Sequence, residues 1–346
     1  MNSLSGQVCG VHLVGSVPYD NSTEVFHNVE QHLGKHIKRL PDGETGIRTN
    51  WIDWQLTMLK ENPNLQLVEN DAFEYTQVHQ LGLAPGGDSK HLQLGELGYA
   101  RVALESFEEF SKLKSSGQIP QTHKFQVCLP TPLAISHIYV EPGLQADFEP
   151  QYEEQLLNDL DRLLSNIPHE ELAIQWDTAV EFAVLEGIMP SYIENLKEGI
   201  IERLLRLAHK VPQSVDMGFH LCYGDSQHKH FCEPKDTGLL VSMTNSIVEG
   251  LSRSLNWVHM PVPKERSDEA YYKPLADLKL GSETELYLGL VHFTDGEAGA
   301  LERIESAGKY VQKFGVATEC GFGRRPRETL VELMGIHASV SAKHAE

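Results

Sequence analysis

The feature that most constrains this chain is a repeated alternation of short apolar runs with longer helical patterns. The runs are Val8–Val14, His36–Leu40, Lys124–Leu129, Leu172–Trp176, Val215–Cys222, Leu255–Met260, Leu286–His292 and Gly315–Glu319. Between most of them lie residues with apolar side chains at helical spacing: Glu153–Leu164, Tyr192–Ala208, Gly238–Leu251 and Glu297–Phe314. The second of these ends in His209-Lys210, a basic last turn suited to the negative end of a helix dipole. Strands alternating with helices imply a parallel sheet, because parallel strands need crossover connections. Eight such units in 346 residues predict an α/β protein, a single (β/α)8 TIM barrel over residues 1–346. An open doubly wound sheet has the same periodicity and stands as the structural alternative.

One connection is oversized. Between the second and third barrel strands the chain runs from Thr45 to His123, so an insertion of about residues 45–123 after strand 2 is expected. Within it, Leu65–Leu81 has room for an extra hairpin, Ala84–Asp88 is a Gly/Pro turn, and Gly98–Lys114 reads as a helix. Such an insertion either caps the mouth of a barrel or decorates its rim.

Charge excludes several function classes. Lysine and arginine total 29 against 49 acidic residues, a net charge of −20, and no Lys/Arg-dense run exists. Nucleic acid and anionic membrane surfaces are therefore not expected partners. The apolar runs are too short to span a bilayer. Met1–Gly10 lacks a basic segment followed by an apolar core, so a cytoplasmic location is expected. Five scattered cysteines suit reduced thiols or metal ligands better than a disulfide scaffold.

In a barrel, reactive groups sit where strands end. The fifth run ends in His220-Leu221-Cys222-Tyr223, and the eighth in Glu319-Cys320-Gly321. Residues two apart on a strand face the same side, so His220 and Cys222 can both face the mouth, where Cys320 can join them. Two thiolates and an imidazole suit Zn2+, and three protein ligands with an exchangeable fourth position describe a catalytic zinc site. The same residues also read as a strand histidine and two buried cysteines behaving as small hydrophobes. Cys9 and Cys128 are expected in the core.

The strand ends together resemble the catalytic barrel of cobalamin-independent methionine synthase, in the superfamily shared with uroporphyrinogen decarboxylase. Gly15-Ser16-Val17-Pro18 is similar to the family's Gly-Ser-aromatic-Pro turn, and Asp42-Gly43-Glu44 to its Gly-Glu pair. Gln175-Trp176-Asp177 matches Gln-x-Asp on the fourth strand, and His220-Leu221-Cys222-Tyr223 matches the zinc motif His-x-Cys-Tyr. Glu319-Cys320-Gly321 with Arg324-Arg325 resembles the last motif, Asp-Cys-Gly followed by basic residues. Order and spacing agree from about Val11 to Arg325.

The resemblance implies that His220, Cys222 and Cys320 hold zinc. Gly15 and Ser16 would bind the carboxylate of an amino-acid substrate, and Glu44 and Asp177 its ammonium group, with Asp177 also counted among the catalytic groups. The family has a Glu on the sixth strand. Here Trp257-Val258-His259-Met260-Pro261 offers His259 as the fourth ligand, a place otherwise left to water or substrate. His292 on the seventh strand end reads as a proton shuttle or as a satisfied strand-end histidine. His228 and His230, beside Cys232, read as a solvated loop. The implied activity is methionine biosynthesis: zinc-dependent methyl transfer to homocysteine or a related small thiol. The donor would be a methylfolate, a corrinoid protein or another molecule. The alternatives are a metal-free lyase or decarboxylase of the uroporphyrinogen decarboxylase type, and a non-catalytic barrel that binds zinc or an amino acid. Against the former, the strand ends are rich in Asp, Glu and His rather than in the arginines that several substrate carboxylates require.

Overall fold

All eight apolar runs become strands of one parallel sheet. The computed structural model describes residues 6–68, 79–226 and 229–343. In chain order the strands are β1 (Gln7–Val11), β2 (Arg39–Pro41), β3 (Leu65–Val68), β4 (Gln80–Leu83), β5 (Lys124–Pro130), β6 (Leu172–Thr178), β7 (Asp216–Leu221), β8 (Trp257–Pro261), β9 (Glu285–Gly289) and β10 (Lys313–Val316). The large sheet has the order β1-β10-β9-β8-β7-β6-β5-β2, with every pairing parallel. Its edge strands approach each other through two isolated parallel bridges, Val11 to Ile37 and Ser16 to Gly43.

Helices fill the crossovers. Asn21 caps Ser22–Leu33 by accepting from the Glu24 N–H at 2.9 Å, and Thr131 caps Pro132–Tyr139, which opens on a proline that needs no N–H partner there. The predicted helices are found at Gln145–Asn166, Leu196–Ala208, Gly238–Gly250 and Gly296–Gly308. In the long connection, β3 and β4 form the expected antiparallel hairpin, although residues 69–78 at its tip lie outside the described set, and a helix follows at Tyr99–Ser115. Among the described residues no helix is long and apolar enough to cross a membrane.

Each strand alternates between two environments. On β7, Met217, Phe219 and Leu221 join the main hydrophobic core, while Asp216, Gly218 and His220 take the opposite face. That opposite face is unusually polar for a barrel-type sheet, whose interior is commonly aliphatic. Among the described residues, Ala173, Trp257 and Tyr287 form an apolar cluster there. The rest is a hydrogen-bonded network around Gln175. Its Oε1 accepts from Trp257 Nε1 at 3.3 Å and lies 2.8 Å from His12 Nε2. Its Nε2 donates to the Val14 carbonyl and, at 2.9 Å, to Asp177 Oδ1.

Arg39, at the start of β2, shows how far the sheet curls. Its guanidinium stacks on Trp257 of β8 at 4.1 Å, donates to Glu285 at the start of β9, and lies 3.8 Å from Asp216 at the start of β7. A side chain on one edge strand therefore reaches the middle of the sheet, across its concave face.

Candidate functional site

Register brings the reactive side chains into one layer. Asp177 on β6 is paired with His220 on β7, His220 with His259 on β8, and His259 with Tyr287 on β9. Just past the end of β7, Cys222 continues the inward face. Cys320 arrives from the loop after β10. Gly321 and Gly323 hold that loop against Ser16, for a Cβ on either would come within 2.3 or 2.8 Å of Ser16 Oγ.

His220, Cys222 and Cys320 form a cluster whose ligand atoms all lie within 4.8 Å of one another. Cys222 Sγ and Cys320 Sγ are 3.9 Å apart, and Cys320 Sγ is 3.9 Å from His220 Nε2. Metal–sulfur bonds near 2.3 Å and metal–nitrogen bonds near 2.05 Å at tetrahedral angles give edges of about 3.8 and about 3.6 Å. The two edges that meet at Cys320 are close to those lengths, and the donor types suit Zn2+. The Cys222 thiol donates to Cys320, which holds the Cys320 thiol below its ordinary range and Cys222 above it. Arg324, 3.5 Å from Cys320 Sγ, favours the Cys320 thiolate further.

His259 does not join this cluster. Its Nδ1 lies 2.7 Å from His220 Nδ1, and its Nε2 lies 3.0 Å from the Thr318 carbonyl. Both ring nitrogens are thus engaged, and the fourth position at the cluster is held by no described side chain. The strand register is the reason: side by side on adjacent strands, the two rings meet through their Nδ1 atoms.

The carboxylates stand beside the thiols. Asp177 is buried and Glu44 half-buried, and both hold their protons well above the carboxylate range. Burial is the main cause for each, and for Glu44 the charge of Asp177 comes next. Glu44 sits in the left-handed region at φ 47°, directly after Gly43 at φ 82°. Two neighbouring carboxylates with raised proton affinity, withdrawn from water to this extent, are what an ammonium group would relieve. Trp51, near the start of the long connection, donates to Asp177, so that connection reaches the mouth. Gly15 lies close enough that a Cβ there would be 3.5 Å from the Glu44 carboxyl.

Other expected residues have different surroundings. Ser16 Oγ accepts from the Gly323 N–H at 3.3 Å, so its hydroxyl braces the Cys320 loop. His292 is buried between the Val262 carbonyl, 2.9 Å from Nε2, and Glu319, 3.6 Å from Nδ1. The His230 side chain is buried rather than solvated, 3.5 Å from Glu319 and 3.3 Å from Glu233, while His228 lies outside the described residues. Cys9 and Cys128 are half-buried rather than core residues, and Cys128 Sγ lies 3.1 Å from the Val14 carbonyl at the polar inner face. Asp225 and Glu319 were given no role from sequence, yet they pair with Arg324 at 3.1 Å and Arg325 at 3.7 Å. Their signal was available: each acid lies within a few residues of a proposed ligand and faces a basic cluster.

No protein-family model matches the chain, and no curated protein matches it in sequence. Solved structures do match its fold. A protein from Listeria monocytogenes described as a vitamin-B12-independent methionine synthase aligns at TM-score 0.57 and 13% identity, over 98% of this chain and 99% of that one. A B12-independent methionine synthase from Shewanella sp. W3-18-1, in complex with selenomethionine, aligns at 0.55 and 10%, over 98% of each chain. A methyltransferase from Methanosarcina mazei aligns at 0.50 and 12%, over 97% of this chain and 94% of that one. At these identities the likeness is one of fold: this chain shares the α/β architecture of methionine synthase-like and methyltransferase proteins.

Proposed function

We propose that this chain is a zinc-dependent methyltransferase that acts on a small thiol, homocysteine or a relative, within a single closed (β/α)8 barrel that carries residues 45–123 as an insertion. The observation that carries this reading is the cluster of His220, Cys222 and Cys320 beside the carboxylate pair Glu44 and Asp177, both of raised proton affinity. The fold shared with methionine synthase-like proteins supports it, as does the reach of Arg39 across the sheet.

His220, Cys222 and Cys320 would hold the ion. Zinc bound there would favour the thiolate form of the substrate at neutral pH. Glu44 and Asp177 bind the substrate ammonium, and the Ser16 turn positions its carboxylate. The sulfur–carbon bond forms as the methyl group leaves its donor, whose bonding electrons depart with the donor. The thiol proton goes to solvent, with His292 as the proposed shuttle. The donor is a methylfolate, a methylated corrinoid protein or another small methyl donor.

The test is the metal content of protein purified without chelators, for the wild type and Cys320→Ser in parallel. The reading requires about one zinc per chain in the wild type and its loss in the variant. Wild-type protein that takes up no zinc even when it is supplied overturns the reading and favours metal-free chemistry. Zinc retained by Cys320→Ser rejects this ligand set.

A further inference from the structure

The opposite end of the sheet carries a cavity of about 560 Å³ between the segments that lead into β2 and β5. Lys35, Lys38, Arg39 and Lys124 line it. In a chain of net charge −20 this is a local concentration of positive charge. Two carboxylates answer it. Asp216 bonds Lys124 at 2.8 Å and lies near Arg39, while Glu285 bonds Lys38 and, at 2.7 Å, Arg39. Four cations against two acids leave a surplus of two positive charges. Lys35 is exposed and has no carboxylate partner among the described residues. Arg39 is almost wholly buried, and its Nε–H has no hydrogen-bond partner.

We propose that this cavity binds the phosphate group of a small phosphorylated metabolite. A phosphate monoester carries about −1.5 to −2 charges at neutral pH, which matches the surplus, and offers oxygens to the accessible ammonium groups of Lys35 and Lys38. The volume exceeds what a bare phosphate fills and falls within the range of small-ligand sites, roughly 300–1,000 Å³. The location separates it from the thiol cluster. Asp216 begins β7 and His220 lies four residues on, about 13 Å along the strand. The proposal does not depend on the metal-centre reading.

The experiment titrates the intact protein with inorganic phosphate and, separately, with glycerol phosphate, at constant ionic strength maintained with chloride. Binding is read by calorimetry and by backbone amide shifts. Saturable binding with shifts confined to Gly34–Arg39 and Thr122–Lys124 is expected. Tighter binding of the ester assigns the site to a phosphorylated metabolite, and equal affinity assigns it to free phosphate. Lys35→Glu weakens binding at least about tenfold, whereas Lys235→Glu, on an exposed loop beyond β7, changes it less than about twofold. Lys35→Ala gives an intermediate loss and guards against misfolding of the reversed charge. No saturable binding, shifts at His220 or Cys320 instead, or equal weakening by Lys35→Glu and Lys235→Glu would each overturn the proposal.

Discussion

His220 and His259 face each other through their Nδ1 atoms at 2.7 Å, and only one of the two can donate. The choice is made at the far side of His259. Its Nε2 lies 3.0 Å from the Thr318 carbonyl, which can only accept. His259 therefore carries its proton on Nε2, and its Nδ1 accepts from His220. Burial keeps both rings neutral, with His259 pushed down to about 4. The consequence is a His220 with its proton on Nδ1 and its lone pair on Nε2, the atom 3.9 Å from Cys320 Sγ. A ligating histidine needs that tautomer.

The His259 ring should therefore control metal affinity without touching the metal. His259→Phe removes the acceptor and frees His220 to rotate or change tautomer. Zinc affinity measured by chelator competition should fall about 10- to 100-fold, the usual cost of losing such a partner. His259→Gln, whose amide oxygen can accept from His220, should recover part of the loss. Equal affinity in wild type and His259→Phe would show that the pairing does not orient the ligand.

Glu44 offers a test of substrate class. If Glu44 and Asp177 hold an ammonium group, Glu44→Gln removes one charge from that clamp and leaves the thiol cluster alone. The concentration of homocysteine giving half-maximal alkylation should rise about tenfold, while a thiol of the same length without the amino group should be unaffected. Equal losses for both thiols would place Glu44 outside the substrate contact.

The sheet and the meeting of His220 and Cys222 on one face were legible in the sequence, and the reason is local. Strand periodicity and the i, i+2 spacing of His220 and Cys222 are properties of neighbouring residues. What was not legible depends on which residues meet across the sheet. His259 read as a ligand because it ends a strand, and only the register of β8 against β7 turns it into a partner of His220. The contact of the Ser16 hydroxyl with Gly323, more than three hundred residues away, was likewise not legible. His230 read as solvated because its tract is polar, whereas Glu319 and Glu233 hold its side chain inside.

Arg324 and Asp225 should behave as a unit. The carboxylate is buried, and the guanidinium at 3.1 Å is its cationic partner. Arg324→Met leaves the carboxylate without that partner and should cost about 3 kcal/mol in urea unfolding of the metal-free protein. The double variant with Asp225→Asn should recover most of that loss, because no buried charge remains. Additive losses in the double-mutant cycle would show that the pair is not coupled.

Glu181 should make stability depend on pH. It lies in the first turn after β6, is almost fully buried, and has one carboxyl oxygen without a hydrogen-bond partner. Burial raises its pKa from 4.5 to about 7. Below the unfolded value both states are protonated and the group costs nothing. As pH rises from there through the folded value, the unfolded chain ionises first, so stability is lost across that window. The total is about 3 kcal/mol, at about 1.4 kcal/mol for each pH unit of separation. Glu181→Gln cannot ionise and escapes the loss. Its advantage over the wild type should therefore grow by a few kcal/mol between about pH 4 and about pH 8 when both are unfolded in urea. A difference that stays constant over that range would mean that Glu181 ionises normally in the folded chain.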